Sequence, residues 1–353
     1  MKRFIAIFTI LSIAGLLWFM NPRTARAAVS DWQKGATFQP GGTEDFGSES
    51  FKATVLKLKM AGVDTLILVI PYYQPDAGSH DLQPGWNTPS DQSLTAASDY
   101  IHSYHMRVVY NIHADIQNGE WRADINPADR NAWFARYGEI LDHYANLAAS
   151  HGVEGMVIGT ELMNMTDQSN PDNTQHWRDI IGHLRTVYHG FLTYGMQWDG
   201  ENVGFLGDLD YVGVGAYVPV GTHEDASTDE MKQSWSEWNT NRIKTLADTY
   251  HKPILFTEAG YKSVWGSNVT PWMSWRDGAW DEDVQAIAYE ALFSYWNDNP
   301  SIQGIYLWDF KTDPNAGGQG NTDYTPQNKR AEDVMRRWFG STPMPSCGNT
   351  CVN

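Results

Sequence analysis

The stretch EGMVIGTEL, residues 154–162, decides how the chain is read, because an apolar run typical of a buried strand ends directly on a glutamate. Further along, PILFTEAGY at 253–261 repeats the same order of an apolar run, a threonine and a glutamate. A carboxylate is costly to bury, so a strand has little structural use for one at its end. The repeated ending indicates that two strands deliver Glu161 and Glu258 to a common site.

The two stretches belong to a longer series of apolar runs. β-rich runs alternate with amphipathic stretches, which is typical of βα units and a parallel sheet. Eight strands close a barrel, so we predict one α/β domain, a (β/α)8 TIM barrel, over residues 28–340. An open doubly wound sheet is the alternative, but FQPGGTEDFG at 38–47 lacks the glycine spacing of a phosphate-binding turn. The runs start at residues 36, 65, 107, 155, 191, 210, 253 and 304, and the predicted helices cover 50–61, 93–104, 131–151, 174–187, 229–250, 281–297 and 329–339.

The N-terminus has the three parts of a secretory signal. Basic residues precede an apolar run at 4–20, and the triplet ARA at 25–27 offers small residues for signal peptidase. We therefore predict a signal peptide over 1–27 and a secreted or periplasmic protein. An uncleaved membrane anchor is the alternative, since the 17 residues of the apolar run lie near the lower limit of about 17 to 25 for a spanning helix.

Only two cysteines are present, Cys347 and Cys351, in a predicted C-terminal tail over 341–353. In an oxidising compartment they could form a disulfide, although so short a loop constrains little of the unfolded chain. A metal site would need further ligands at matched spacing, and the tail has none. The sequence therefore gives the tail no catalytic role.

The overall charge limits the possible partners. The formal net charge is −17. The charged residues of the predicted signal are all basic, so its loss would make the chain more negative. Such a chain repels phosphate backbones and anionic lipid, which argues against nucleic acid and membrane-surface partners. The 16 Trp and 17 Tyr offer flat amphipathic faces that suit neutral sugars. We expect a monomer that binds a neutral polysaccharide or oligosaccharide and needs no cofactor.

The chemistry of a barrel enzyme lies at the C-terminal ends of its strands. Glu161 would end the fourth strand and Glu258 the seventh, so both carboxylates would face the same mouth. Such a pair of carboxyl groups is typical of glycoside hydrolases. One group protonates the leaving oxygen, and the other attacks the anomeric carbon or activates a water. The structural alternative is that each glutamate caps a following helix or pairs with an arginine.

Several stretches along the chain together resemble glycoside hydrolase family 113. This family consists of (β/α)8 enzymes known mainly as endo-β-1,4-mannanases, with an acid on strand 4 and a nucleophile on strand 7. The similar stretches cover nearly the whole predicted mature chain in order. They are KGATF at 34, TPSDQSL at 88, NGEWRADI at 118, VIGTEL at 157, LTYGMQW at 192, KPILFTEAGY at 252 and GIYLWDF at 304.

The resemblance implies that Glu161 is the acid/base and Glu258 the nucleophile of a retaining double displacement on a β-linked neutral polysaccharide, most often mannan or glucomannan. Retention requires the two carboxyl groups to lie about 5 to 5.5 Å apart. The chain departs from the family pattern at Gly215 on strand 6, where the family carries an acidic residue. A related β-glucanase or galactanase, or an inactive carbohydrate-binding barrel, is the alternative function.

His113 and Asp115 are predicted at the rim, at the end of the third strand. A His-x-Asp pair could be half of a metal site, with Glu161 or His105 as a further ligand, which would make the protein a metal-dependent hydrolase. No third ligand motif is present. The resemblance instead implies that both residues hydrogen-bond sugar hydroxyls.

Further candidates surround the two glutamates. Trp121 and Arg122 lie in the loop after strand 3, where an arginine can orient a carboxylate and a tryptophan can form a cleft wall, or where both could belong to a surface helix cap. Tyr217 could donate its hydroxyl to Glu258. Trp308 is placed to form the floor under the reacting sugar, with a role in core packing as the alternative.

The remaining candidates are aromatic or polar residues in other loops. Tyr73 and Gln74 after strand 2 and Trp198 after strand 5 are weaker candidates for substrate binding. The loop after strand 7 is unusually rich in tryptophan, and the sequence fits either outer sugar-stacking subsites or a lid. These residues are Trp265, Trp272, Trp275 and Trp280.

Overall fold

A computed structural model describes residues 32–297 and 299–340. Eight parallel strands follow one another around a sheet in which β1 pairs with both β2 and β8, so the barrel is closed and the predicted TIM barrel is confirmed. The predicted signal peptide and the Cys347–Cys351 pair lie outside the described residues. The strands are β1 Gln33–Phe38, β2 Thr65–Gln74, β3 Arg107–Ile116, β4 Gly155–Thr160, β5 Phe191–Met196, β6 Val212–Gly215, β7 Ile254–Ala259 and β8 Ile302–Phe310.

Helices surround the barrel, and most begin at a polar cap. Ser227, for example, forms a capping box with Glu230 at the start of α6. Within residues 32–297 and 299–340, no helix is both long and apolar enough to cross a membrane. The helices are α1 Glu49–Met60, α2 Asp91–Ser103, α3 Arg130–Ser150, α4 Met163–Thr166, α5 Pro171–Val187, α6 Thr228–Trp238, α7 Lys244–Tyr250, α8 Glu282–Trp296 and α9 Arg330–Phe339.

The predicted helix over 229–250 is interrupted. A π-helical segment, Asn239–Ile243, separates α6 from α7, and the Asn239 side chain donates to the Tyr295 hydroxyl at 3.0 Å. The helical direction continues through this segment, so the prediction was right about the helix and missed only its irregular turn. Propensity does not distinguish a π turn from an α turn, because the extra residue is set by packing against α8.

Two apolar clusters build the core. The larger one lies between the barrel wall and the helices. The smaller one fills the barrel interior near the N-terminal ends of the strands, where Phe191, Tyr211 and Tyr306 supply large rings. Gly155 makes room for this filling, because a Cβ there would lie 2.1 Å from the Phe191 ring. The closed end of the barrel is therefore solid, and the opposite end is free to carry a site.

The strands β2 and β3 extend beyond the predicted ends of their apolar runs. Their pairing continues without a break from Thr65 opposite Arg107 to Gln74 opposite Ile116. A two-residue strand, Gln83–Pro84, pairs antiparallel with the end of β2. The extension raises one side of the barrel mouth, which places the ends of β2 and β3 beside the cleft.

Candidate active site

Glu161 lies directly after β4, where the chain leaves the barrel. Its φ of +56° falls in the left-handed region that residues other than glycine seldom adopt, and its N–H donates to the Gly195 carbonyl of β5 at 2.9 Å. The half-buried carboxyl accepts a hydrogen bond from Trp121 Nε1 at 3.2 Å and another from Gln197 Nε2 at 2.6 Å. Neighbouring loops thus hold this carboxyl at the barrel mouth.

Glu258 lies within β7 and is only 5% exposed. The Tyr217 hydroxyl donates to its Oε2 at 2.9 Å, which confirms the hydrogen bond predicted between these residues. Oε1 has no hydrogen-bond partner among the described residues, and His113 Nε2 lies 3.8 Å from it, beyond hydrogen-bond distance. A buried carboxylate oxygen without a donor is costly, and such groups are commonly functional.

Electrostatics couple the two glutamates. Burial raises the pKa of both carboxyl groups, and the charge of Glu161 raises the pKa of Glu258 further. The charge of Arg122 lowers the pKa of both carboxyl groups, and the hydrogen bond from Tyr217 lowers that of Glu258. Two buried carboxyls that repel each other retain one proton at a pH where isolated groups would both be ionised. The pair can therefore present one acid and one base at the same pH.

A fixed positive charge accompanies the pair. Arg122 forms an ion pair with Asp115 at 2.8 Å. Burial disfavours the charged guanidinium, but the charges of Asp115 and of the two glutamates outweigh it and raise the pKa of Arg122. Trp121 is the N-cap residue of a short 3-10 helix, Arg122–Asp124, in the loop after β3, but its side chain makes no capping hydrogen bond, and Arg122 pairs with Asp115 instead.

His113 lies in β3 with its ring stacked on Trp308 of β8. The ring centroids are 6.0 Å apart and the planes differ by 15°. Burial, aided by the charge of Arg122, lowers the pKa of His113 well below its usual range, so the imidazole is neutral. In the described part of the chain, no three histidine, cysteine, aspartate or glutamate side chains lie together as metal ligands, and Asp115 faces Arg122 instead.

The candidates on β2 have different surroundings. The half-buried Tyr73 lies opposite Asp115 in the strand pairing and donates its hydroxyl to Asn87 Oδ1 at 2.9 Å. Gln74 is 0% exposed. Its Nε2 donates to the backbone carbonyls of Asp76 and Ser79, at 2.8 and 3.0 Å, and its Oε1 accepts from Trp133 Nε1 at 2.9 Å. The buried, hydrogen-bonded amide indicates a structural role for Gln74 and argues against the predicted contact with substrate.

Aromatic side chains extend from the loops after β5 and β7. The half-buried Trp198 stacks on Trp272, with centroids 5.4 Å apart. Lys262 donates to the carbonyls of Ser274 and Arg276, both at 2.8 Å, and so fixes the loop after β7 to its own base. These bonds favour a fixed wall over a lid. The exposed tryptophans of this loop are Trp265, Trp272, Trp275 and Trp280.

Two polar residues that follow β5, Gln197 and Glu201, were not predicted from the sequence. Gln197, a strand-end residue that contacts Glu161, carried the same signal as the glutamates but was passed over for Trp198. Glu201 is 8% exposed and accepts three hydrogen bonds, yet nothing in its polar loop marks it in the sequence. At Gly215, opposite Glu258 in the β6–β7 pairing, a Cβ would lie 3.6 Å from the Met196 carbonyl oxygen, which is ordinary van der Waals contact, so the backbone there could carry a side chain.

A closed (β/α)8 barrel with glutamates at the C-terminal ends of β4 and β7 defines the class of protein, a glycoside hydrolase. The family model described as Glycoside Hydrolase Family 113 matches residues 37–329. The chain belongs to glycoside hydrolase family 113. No protein with a curated description matches the chain in sequence.

Solved structures agree with this assignment. A complex structure of a GH113 β-1,4-mannanase is 27% identical, with a TM-score of 0.78, and the match covers 88% of this chain and all of that one. The GH113 β-mannanase AaManA from Alicyclobacillus acidocaldarius in complex with ManMIm is 25% identical, with a TM-score of 0.77, and 88% and 97% of the two chains are covered. A β-glucuronidase from Ruminococcus gnavus shares the fold. It is 12% identical, with a TM-score of 0.60, and the match covers 87% of this chain and 50% of that one.

Proposed function

We propose that the chain is a secreted, retaining endo-β-1,4-mannanase that cleaves mannan or glucomannan, with Glu161 as the acid/base and Glu258 as the nucleophile. The observation that carries this proposal is the state of Glu258. Its buried carboxyl is held by Tyr217 through one oxygen, while the other oxygen has no donor among the described residues. An oriented carboxylate with one free oxygen is suited to attack an anomeric carbon.

In the first step, Glu258 Oε1 attacks the anomeric carbon as the bond from that carbon to the glycosidic oxygen breaks. Glu161 gives its proton to the departing oxygen, so no free alkoxide forms. The product is a glycosyl ester on Glu258, and the negative charge of the pair moves to Glu161. Arg122 lies close enough to both carboxyls to lower the pKa of each, so it stabilises the charge in either position.

In the second step, Glu161 takes a proton from water, and the water oxygen attacks the anomeric carbon. The ester bond to Glu258 breaks, which restores its negative charge, and the proton taken from water leaves Glu161 protonated as it was at the start. Two successive inversions give net retention. The neutral His113 and the indole of Trp308 border the same space, where they can supply a hydrogen bond and a flat face to the reacting sugar.

The proposed substrate rests on charge, surface chemistry and relatives. A chain with a formal charge of −17 does not attract an anionic polymer. Exposed indoles around the cleft suit the apolar faces of neutral sugar rings. Two of the similar structures are described as β-1,4-mannanases. These points favour a β-linked neutral polysaccharide over an acidic one.

The proposal of secretion rests on the sequence pattern of residues 1–27. Expression of the full chain in a secreting bacterial host, followed by N-terminal sequencing of the protein in the medium or periplasm, tests it directly. We expect a mature N-terminus at Ala28. A cell-bound protein that keeps the apolar run would support the anchor instead.

The first experiment on activity is product analysis. The purified chain without residues 1–27 is incubated with glucomannan, galactomannan and mixed-linkage β-glucan, each with and without EDTA, and the products are separated by chromatography. We expect mannose-containing oligosaccharides of several lengths that persist in EDTA, with an anomeric configuration of fresh products that matches the substrate by NMR.

Other outcomes would point to the alternatives. Cleavage of the β-glucan alone would keep the two-glutamate mechanism and overturn the substrate. Loss of activity in EDTA would favour a metal-dependent hydrolase at His113 and Asp115. Binding without cleavage of any polymer, measured by affinity electrophoresis, would leave a carbohydrate-binding barrel.

A further inference from the structure

Glu201 is a buried carboxyl that the double displacement does not use. It lies in the loop after β5 and is 8% exposed. Its Oε1 accepts from the Thr166 hydroxyl at 2.5 Å and from the Tyr194 hydroxyl at 2.6 Å, and its Oε2 accepts from the Gln197 backbone N–H at 3.2 Å. Burial of a carboxyl is costly unless its hydrogen bonds are made, and here several converge on one residue.

Each of these contacts leads to Glu161. The Tyr194 hydroxyl, which donates to Glu201, accepts from the backbone N–H of Leu162 at 2.7 Å, and Leu162 directly follows Glu161. Gln197, whose backbone is held by Glu201, donates from its side chain to Glu161 Oε1 at 2.6 Å. Glu201 therefore reaches both the backbone just after Glu161 and one oxygen of its carboxyl.

The third contact fixes the chain beyond Glu161. Thr166 is the last residue of α4, the single short helix that follows Leu162. Glu161 itself has a left-handed backbone, a conformation that costs a non-glycine residue about 1 to 2 kcal/mol and persists where surrounding contacts determine it. A four-residue helix has too few internal bonds to impose that conformation, so the constraint has to come from elsewhere.

We propose that Glu201 is a positioning residue that holds the acid/base Glu161 in line with the leaving oxygen, through Tyr194 and Leu162 on the backbone side and through Gln197 on the carboxyl side. This inference rests on the proposed function. Glu201 does not touch the substrate in this role, because Tyr194, Thr166 and Gln197 occupy its carboxyl. Its effect is confined to steps in which Glu161 transfers a proton.

Glu201→Gln tests this role with little change in shape. The amide keeps one oxygen for the two hydroxyls, but its NH2 group then faces the Gln197 N–H, and two donors repel each other. The readout is kcat/KM, which reports the first irreversible step, for a dinitrophenyl β-mannooligosaccharide and for a mannooligosaccharide of matched length. We expect a loss of about 10- to 100-fold on the unactivated substrate and of less than about 3-fold on the dinitrophenyl substrate, which leaves without a proton.

Tyr194→Phe is the second variant, because it breaks the link to Leu162 while Glu201 stays in place. We define the ratio as kcat/KM on the mannooligosaccharide divided by kcat/KM on the dinitrophenyl substrate. Tyr194→Phe should lower this ratio, as Glu201→Gln does. Glu332→Gln is the matched control, since Glu332 is a buried glutamate on α9 that is bonded to Arg336 and to the Asn328 N–H, away from the site. We expect it to lower the melting temperature and leave the ratio unchanged.

The outcomes separate the two proposals. A folded Glu201→Gln variant with an unchanged ratio, which includes equal losses on both substrates, would show that Glu201 only stabilises the fold. If Glu201→Gln does not fold, the ratio of Tyr194→Phe decides alone. A wild type that cleaves neither substrate overturns the proposed function and the positioning role with it. An active wild type with an insensitive ratio overturns the positioning role only.

Discussion

The two glutamates follow the same Thr-Glu sequence but occupy different local structures. Glu258 lies inside β7, opposite Gly215 of β6 at a shift in the pairing register, and among the described residues a single side-chain donor, Tyr217, reaches its carboxyl. Glu161 lies one residue beyond β4 with a left-handed backbone, and donors from two loops, Trp121 and Gln197, reach its carboxyl. The barrel wall thus supports one carboxyl, and the loops support the other.

This difference matches the two proposed roles. A nucleophile that forms one bond to one carbon benefits from a fixed position, and a strand inside a closed barrel provides it. An acid/base meets a leaving oxygen in one step and a water in the next, so it needs access from outside, and the half-buried Glu161 has that access. The same short sequence motif can serve both roles because the chain continues differently after each glutamate. Ala259 still belongs to β7, whereas Leu162 lies outside β4.

The strongest test of the comparison removes the carboxyl supported by the barrel. Glu258→Ala should lower kcat by at least about 10⁴-fold on every substrate, because the covalent route is lost. Added azide can enter the space that the side chain leaves and attack the face opposite the leaving group of an activated substrate. We expect a glycosyl azide of inverted configuration, identified by NMR. Turnover that survives at more than about a hundredth of the wild-type rate would contradict the assignment of the nucleophile.

Removal of the carboxyl supported by the loops should have a smaller and more selective effect. Glu161→Ala should lower kcat/KM by about 10² to 10⁴-fold on mannooligosaccharides, which need a proton on the leaving oxygen, and by less than about 10-fold on a dinitrophenyl substrate. Azide should now attack the glycosyl ester and give a product of retained configuration. An azide product of the same configuration from both variants would contradict the two assignments, since the two glutamates would then share one role.

Tyr217→Phe removes the side-chain donor that reaches the Glu258 carboxyl. The hydrogen bond from Tyr217 lowers the pKa of Glu258, so its loss should raise that pKa. Because the mechanism needs Glu258 ionised, the acidic limb of the kcat/KM profile should move to higher pH, and the maximal rate should fall about 10- to 100-fold.

The matched control for this variant is Tyr261→Phe. Tyr261 is as deeply buried as Tyr217, but its hydroxyl has no hydrogen-bond partner among the described residues. Its removal should leave the pH profile in place. A shift of the acidic limb to lower pH in Tyr217→Phe, or an equal shift in both variants, would show that the hydroxyl does not stabilise the charge of Glu258.

The sequence was sufficient for the barrel and for the two glutamates, since both depend on local signals. Apolar runs separated by helical stretches predict the strands, and the rule that barrel chemistry lies at strand ends selects Glu161 and Glu258. The hydrogen bond between Tyr217 and Glu258 was also within reach, because each residue lies at or just beyond the end of one of two neighbouring strands. These inferences need only the order of elements around the barrel.

The positions that sequence reasoning missed depend on how loops fold back. Glu201 contacts Thr166 and Tyr194 only because the loop after β5 returns over the start of α4. Gln74 shows the opposite case. Its position near the end of β2 suggested a functional residue, but the loop that follows turns its backbone carbonyls onto the amide. A strand end is thus a common position for a catalytic residue of a barrel but does not by itself identify one.

Gln74→Leu tests that last point and should have the smallest effect on catalysis. The change keeps the approximate volume but leaves Trp133 Nε1 and the carbonyls of Asp76 and Ser79 without their partner. Buried groups without partners cost about 1 to 3 kcal/mol each, so the free energy of unfolding should fall by about 2 to 4 kcal/mol in urea titrations. At a temperature well below unfolding, kcat/KM on mannooligosaccharides should stay within about threefold of wild type.

Gln83→Ala is the control, since Gln83 is an exposed residue of the short strand paired with β2 and its replacement should change neither the free energy of unfolding nor kcat/KM. A rise of KM with unchanged stability would return Gln74 to the substrate cleft and show that the end of β2 belongs with the two glutamates.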